Sequence, residues 1–140
     1  MKIALAQINP IVGDILGNTN KIRSIIRKIK SDIVVFPELS VTGYSPQDLL
    51  LKRNFIEENL KSLRKIAESA KNKAAIVGFI DKIGNNLHNG AAIINNGQII
   101  EIHHKICLPN YSIFDEKRWF REGNEATIFD FGGRKIGVSI

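Results

Sequence analysis

Several things are scarce in this 140-residue chain, and each scarcity removes a class of protein. There is one cysteine, Cys107, so no internal disulfide can form, and a lone thiol points to a reducing, cytoplasmic setting. No apolar run approaches the roughly 18 to 20 residues of a membrane span, and Met1-Lys2-Ile3 leads straight into a strand pattern without the shape of a signal peptide. Linkers, repeats and low-complexity stretches are missing as well. Acidic residues are the scarcer charge, 14 against 20 Lys and Arg, which leaves a net charge of +6. Five cations (Lys21, Arg23, Arg27, Lys28, Lys30) crowd one segment with no acid between them, but they are interleaved with Ile22, Ile25, Ile26 and Ile29. That spacing is the solvated face of an amphipathic helix, and the segment lacks the aromatics or reader motif of a nucleic-acid surface.

What is present is an ordinary globular balance, 44% hydrophobic and 24% charged, patterned as α/β. Ile3–Ile8 reads as a strand buried on both faces, followed by turn chemistry at Asn9-Pro10 and Gly13-Asp14. The isoleucine stripe makes a helix, capped near Asn18 or Thr19. Ile33–Phe36 is a second buried strand, stopped by Pro37, and the strand, helix, strand order predicts a βαβ unit with parallel pairing. Between Asn54 and Ala70, Ile56, Leu60, Leu63, Ala67 and Ala70 recur at spacings of four and three, the core face of a second helix. Strands are expected at Ala74–Phe79, Ala91–Asn95, Gln98–His104, Thr127–Phe131 and Lys135–Ile140, with tight turns at Asn96-Gly97 and Gly132-Gly133. The last of these reads as a central, doubly buried strand. Two main helices for six or seven strands would leave one sheet face largely bare.

Three polar clusters follow the ends of expected strands, where loops converge above a rigid floor in α/β sheets. They are Phe36-Pro37-Glu38-Leu39 with Thr42-Gly43-Tyr44, His103-His104-Lys105, and Leu108-Pro109-Asn110-Tyr111 running to Arg118. A partly desolvated carboxylate at such a place can serve as a general base, and a nearby lysine can steady an oxyanion. Taken singly, Glu38 reads first as a solvent-facing loop acid or a helix-capping acid, and Lys105 as an edge-strand charge. His103 and His104 are adjacent and point to opposite faces, and His88 stands isolated, so no metal site is expected. Cys107 reads as a small buried hydrophobe and the aromatics as packing groups.

The string as a whole resembles the nitrilase superfamily of carbon-nitrogen hydrolases, and within it the glutaminase domains of glutamine-dependent NAD+ synthetases. Ile3-Ala4-Leu5-Ala6-Gln7-Ile8-Asn9-Pro10 with Val12-Gly13-Asp14 is similar to that subfamily's first strand and loop. Phe36-Pro37-Glu38-Leu39 with Thr42-Gly43-Tyr44 resembles its glutamate motif. Lys105, Leu108-Pro109-Asn110-Tyr111 and Phe114-Asp115-Glu116 resemble its lysine motif and following loop.

The resemblance covers essentially all 140 residues and implies the amino-terminal half of a nitrilase-like αββα sandwich with a mixed sheet. By resemblance, Glu38 is the general base and Lys105 the oxyanion-stabilising cation of a Glu, Lys, Cys triad. Tyr44, Tyr111, Phe114 and Glu116 would shape the glutamine pocket. The nucleophilic Cys is expected just after Ile140, and Cys107 does not match it. Residues 1–140 are thus expected to be an incomplete hydrolase domain, inactive alone, with glutamine as the family substrate. Expected partners are a synthetase domain or a complementing polypeptide, in a homo-oligomer, with no nucleic acid or membrane. No Ser-Gly-Gly-x-Asp-Ser run is present to bind ATP, and no cofactor is expected in this chain.

Overall fold

The computed structural model describes residues 1–140. In chain order it has β1 (Ile3–Leu5), α1 (Ile15–Lys28), β2 (Ile33–Val35), a 3-10 turn (Gln47–Leu51), α2 (Arg53–Ala67), β3 (Ala74–Ile83), β4 (Asn86–Asn95), β5 (Gln98–His104), the short α3 (Glu116–Trp119), β6 (Thr127–Phe131) and β7 (Arg134–Val138). The first five strands form one mixed sheet in the order β1-β2-β3-β4-β5, and β6 and β7 form a separate hairpin. β1, β2 and β3 pair in parallel, as a βαβ chain requires, whereas β3-β4 and β4-β5 are antiparallel hairpins. β5 therefore runs in the same direction as β2, and the carboxyl ends of both strands reach one edge of the sheet. This mixed α/β arrangement agrees with the expected architecture.

Asn96 and Gly97 both take positive φ, as do Gly132 and Gly133, and each pair closes the tight turn expected of it. α1 starts earlier than its isoleucine stripe suggested. Asp14 is its N-cap, accepting a 2.9 Å hydrogen bond from the Gly17 amide, so neither Asn18 nor Thr19 caps the helix. Asn18 is buried and instead bonds both backbone polar groups of Ile11 and the Val41 carbonyl. The far end of α1 is held by Lys73, whose ammonium donates to the Ile26 and Ile29 carbonyls at 2.9 and 2.7 Å.

The main core lies between the sheet and the two long helices, where Ile15, Ile22 and Ile26 of α1 and Leu63, Ile66 and Ala67 of α2 meet Val34, Ala75, Val77, Phe79, Ala92 and Ile94. On the opposite face Ile33, Ala74, Ile76, Ala91 and Ile93 meet Phe129 and the partly buried Phe131, Ile136, Val138 and Ile140 of the β6–β7 segment. This face, expected to be bare, is thus partly covered by a hairpin.

Two strands depart from expectation. β1 is an edge strand with Leu5 79% exposed, not doubly buried, because a continuous apolar run records no neighbours. β7 is half of a two-stranded ribbon, not a central strand. Ile136, Val138 and, past the strand, Ile140 alternate with Gly137 and Ser139, the period of a strand with one packed face, and nothing lies within 4 Å of the position a Gly137 side chain would take.

Candidate active site

Phe36 and Pro37 leave β2 and the chain turns across β3 before re-entering the core at Leu39 and Val41, both fully buried. The crossing is possible because the β3 residue beneath it is Gly78. A side chain there would collide with the Pro37 carbonyl and the Leu39 amide. The Gly78 carbonyl fastens the loop in return, accepting from the Val41 amide at 3.1 Å and the Ser40 hydroxyl at 3.2 Å. Glu38 sits at the top of this loop. Lys105 lies one residue past the end of β5, where its amide donates to the Asn89 carbonyl at 2.8 Å and its own carbonyl accepts from Gly123 at 2.9 Å. Both groups occupy the same sheet edge.

The Lys105 ammonium donates to Glu38 Oε1 at 2.6 Å and to Glu116 Oε1 at 3.1 Å. Glu116, on α3, is 3% exposed and also accepts a 2.9 Å hydrogen bond from the Tyr44 hydroxyl. Burial opposes the charge on Lys105, yet the hydrogen bonds and charges of Glu38 and then Glu116 outweigh it and hold its pKa above the ordinary value. Burial, then the Glu116 bond and the charges of Glu116 and Glu38, push the Tyr44 phenol upward, so it stays a donor. One cation thus bridges two carboxylates, a charge-assisted network with a fixed geometry.

Of the residues picked from sequence, Glu38, Lys105, Tyr44 and Glu116 form this connected cluster. Phe114 stands beside it, 6.3 Å between ring centroids from Tyr44, and Tyr111 packs edge-on against Phe114 at 5.6 Å while remaining 68% exposed. Cys107 is exposed, not a buried hydrophobe, because the chain leaves β5 before it and no longer alternates with Lys105 as a strand would. His88 is not isolated, since its ring stacks on His104 at 4.5 Å, while His104 bonds Asp81 and His103 bonds Thr127 on the other side. No three His, Cys, Asp or Glu side chains converge to hold a metal ion.

Sequence reasoning missed Asn89. This fully buried residue of β4 donates its side-chain amide to Glu38 Oε1 at 2.5 Å. It precedes the Ala91–Asn95 run that marks the strand, and nothing in its local sequence singles it out. Its nearness to Glu38 comes only from the antiparallel pairing of β3 and β4.

Next to this cluster, between the sheet's hairpin-covered face and the β6–β7 segment, lies a cavity of about 530 Å3. Its walls are mostly apolar, including Ile33, Val35, Ile76 and Ala91, and Glu38 and residues 136–140 also line it. A cavity of this size, apolar with a few converging polar groups, is of the kind that takes a small molecule.

Residues 2–140 match the carbon-nitrogen hydrolase family. The chain belongs to the carbon-nitrogen hydrolase family. Among curated relatives it is 41% identical to the glutamine-dependent NAD+ synthetase of Thermotoga maritima and 41% identical to that of Aquifex aeolicus, each match covering 100% of this chain and 25% of the relative. The chain therefore spans about a quarter of the length of the relatives it matches. Among solved structures, the glutamine-dependent NAD+ synthetase of Acinetobacter baumannii superposes with a TM-score of 0.93 at 37% identity, over 99% of this chain and 27% of that one. A Nesterenkonia amidase of the nitrilase superfamily shares the fold, with a TM-score of 0.86 at 22% identity over 99% of this chain and 55% of its own. This carbon-nitrogen hydrolase segment resembles the glutaminase domain of glutamine-dependent NAD+ synthetases. None of its helices is long and apolar enough to cross a membrane.

Proposed function

We propose that this segment supplies the general base, the oxyanion cation and part of the substrate wall of a glutamine amidohydrolase site that provides ammonia for the amidation of deamido-NAD+. The observation that carries this reading is the 2.6 Å Glu38–Lys105 pair beside a cavity that residues 136–140 also line. Glu38 takes the proton of an attacking thiol, and Lys105 stabilises the oxyanion that forms as the thiol adds to the glutamine carboxamide carbon. Collapse to the glutamyl thioester breaks the carbon–nitrogen bond and sends the Glu38 proton out with ammonia. Glu38 then takes a proton from water, which cleaves the thioester to glutamate and regenerates the thiol. Glu116, braced by Tyr44, keeps Lys105 charged and aimed, while Phe114 and Tyr111 pack in turn beside Tyr44 and not on the cavity wall.

The thiol belongs, in this reading, to the residue following Ile140 in a chain that continues, since the 136–140 segment runs along the cavity that holds Glu38. Cys107 is exposed and lines no wall of that cavity, and residues 1–140 alone are expected to be inactive. The test is glutamine hydrolysis measured on residues 1–140 alone and on an enzyme in which they are followed by the remaining three quarters of the Thermotoga maritima synthetase. Turnover only in the longer enzyme, abolished by Glu38→Gln, is expected. Hydrolysis by residues 1–140 that Glu38→Gln abolishes would refute the assignment of the thiol.

A second reading has a complementing polypeptide supply the thiol and the missing cavity wall. The exposed Ile3 and Leu5 on edge strand β1 favour it. Sedimentation of the purified chain as a monomer that binds no apolar-surface dye would dispose of that version.

A further inference from the structure

We propose that Asn89 is the positioning residue of the Glu38 base and that it dictates which carboxylate oxygen accepts the proton. This rests on the glutaminase reading for its kinetic consequences but not for its geometry. Glu38 Oε1 receives two donors, the Lys105 ammonium at 2.6 Å and the Asn89 amide at 2.5 Å. With both in place Oε1 has little capacity left, so the proton of the thiol goes to Oε2, which carries no hydrogen bond from the protein.

The amide orientation is set by chemistry. A carboxylate paired with Lys105 is acceptor-only, so the Asn89 group facing it is NH2, and Asn89 Oδ1 is left buried without a partner. A fully buried amide that leaves its own oxygen unsatisfied is costly to keep for packing alone. Asn89 acts on both catalytic groups by separate routes. Its backbone carbonyl accepts from the Lys105 amide at 2.8 Å, which no side-chain substitution removes, whereas only its side chain reaches Glu38. Substitution at Asn89 therefore frees Glu38 while leaving the backbone tie to Lys105 in place. It is also well anchored, being the register partner of Ile80, whose amide and carbonyl are both held by the buried Asn59 of α2.

The experiment has two arms. The first needs no substrate: the side-chain amide protons of Asn89 in the 140-residue chain are followed by NMR. A downfield, exchange-protected signal is expected that moves upfield and exchanges faster in Glu38→Ala, and a signal indifferent to Glu38→Ala overturns the contact. The second arm measures glutamine hydrolysis in the longer enzyme. Asn89→Leu, of similar size but without a donor, should lower kcat about 10- to 100-fold, part of what a positioned base contributes, with KM within about twofold. Asn89→Asp should lose more at neutral pH, then recover relative to Asn89→Leu as the pH falls and its protonated carboxyl regains a donor. That would move its optimum about one pH unit toward acid. Equal kcat in wild type and Asn89→Leu, or an Asn89→Asp profile that only scales down, would overturn the proposal. Intact hydrolysis in Glu38→Gln would instead sink the glutaminase reading, leaving the first arm to decide the contact.

Discussion

Val34, Ala75, Val77, Ala92 and Ile94 on one side of the five-stranded sheet are fully buried beneath α1 and α2, while Ile33, Ile76, Ala91 and Ile93 on the other side meet only a two-stranded hairpin and a cavity. The same strands supply both sets by alternation, and both sets are equally apolar. The difference is what covers them. Helices seal one face into a core that holds the molecule together. The hairpin leaves the other face open beside Glu38, so the sealed core and the cavity of the candidate site lie on opposite sides of one sheet.

The largest expected effect breaks the sealed side. Ile66→Ala, at a fully buried position under the sheet, should cost about 2–5 kcal/mol in urea unfolding. Next comes the junction between the two sides. Lys105→Met removes the cation shared by Glu38 and the almost fully buried Glu116, and the uncompensated charge should cost about 3 kcal/mol at neutral pH. The linkage has a definite sign. Because the folded pKa of Lys105 lies above its ordinary 10.5, its stabilising contribution is complete below that pH and is lost as the pH rises through the folded value. The share of the gap between wild type and Lys105→Met that comes from the lysine's own titration should therefore persist through neutral pH and close in alkaline solution.

On the open side, Gly78→Ala pushes against the Pro37–Leu39 backbone and should cost about 1–3 kcal/mol while displacing Glu38. Unfolding midpoints and glutamine turnover in the longer enzyme would both register it. A smaller signal comes from the hairpin end of the sheet. Burial, together with His104, holds His88 and His103 below their ordinary 6.5. The unfolded chain takes up those protons first, so stability should decline as the pH falls below 6.5, and His103→Gln should flatten that decline between pH 7 and 5. The smallest effect belongs to Leu5→Ser on the exposed edge, within about 0.5 kcal/mol. A large loss there would mean that the open face is covered in solution.

The tight turns could be read from the residues, although the cap of α1 could not. Gln98–His104 and Thr127–Phe131 match β5 and β6 because Asn96-Gly97 and Gly132-Gly133 can adopt positive φ where a tight turn demands it. The apolar stripe of α2 was visible too, although the fully buried Ile66 and Asn59 widen its inner face beyond the residues first counted. Burial was harder. Ile3–Ile8 looked doubly buried, and Ile136–Ile140 central, because an apolar run does not record which strands flank it; the first strand in fact ends at Leu5. The residues that cluster at the candidate site were picked out by motif resemblance, since strand pattern alone placed Glu38 and Lys105 only beyond strand ends. Asn89 was legible through neither, its role arising from a partner 51 residues away in sequence.

The mixed pairing of the sheet also bears on the order in which the site comes together. Lys105 and Asn89 are joined through the single β4–β5 hairpin, and β3 is tied to Asn89 by the β3–β4 hairpin, both with short loops that close quickly. Glu38 arrives through parallel pairing, which must first fold an entire helical crossover on either side of β2. In refolding, the β3–β5 meander should acquire amide-exchange protection first, presenting Lys105 and Asn89 as a preformed receptor. The glutamate would then dock onto it as the last strand pair closes, making completion of the site a late reporter of correct folding.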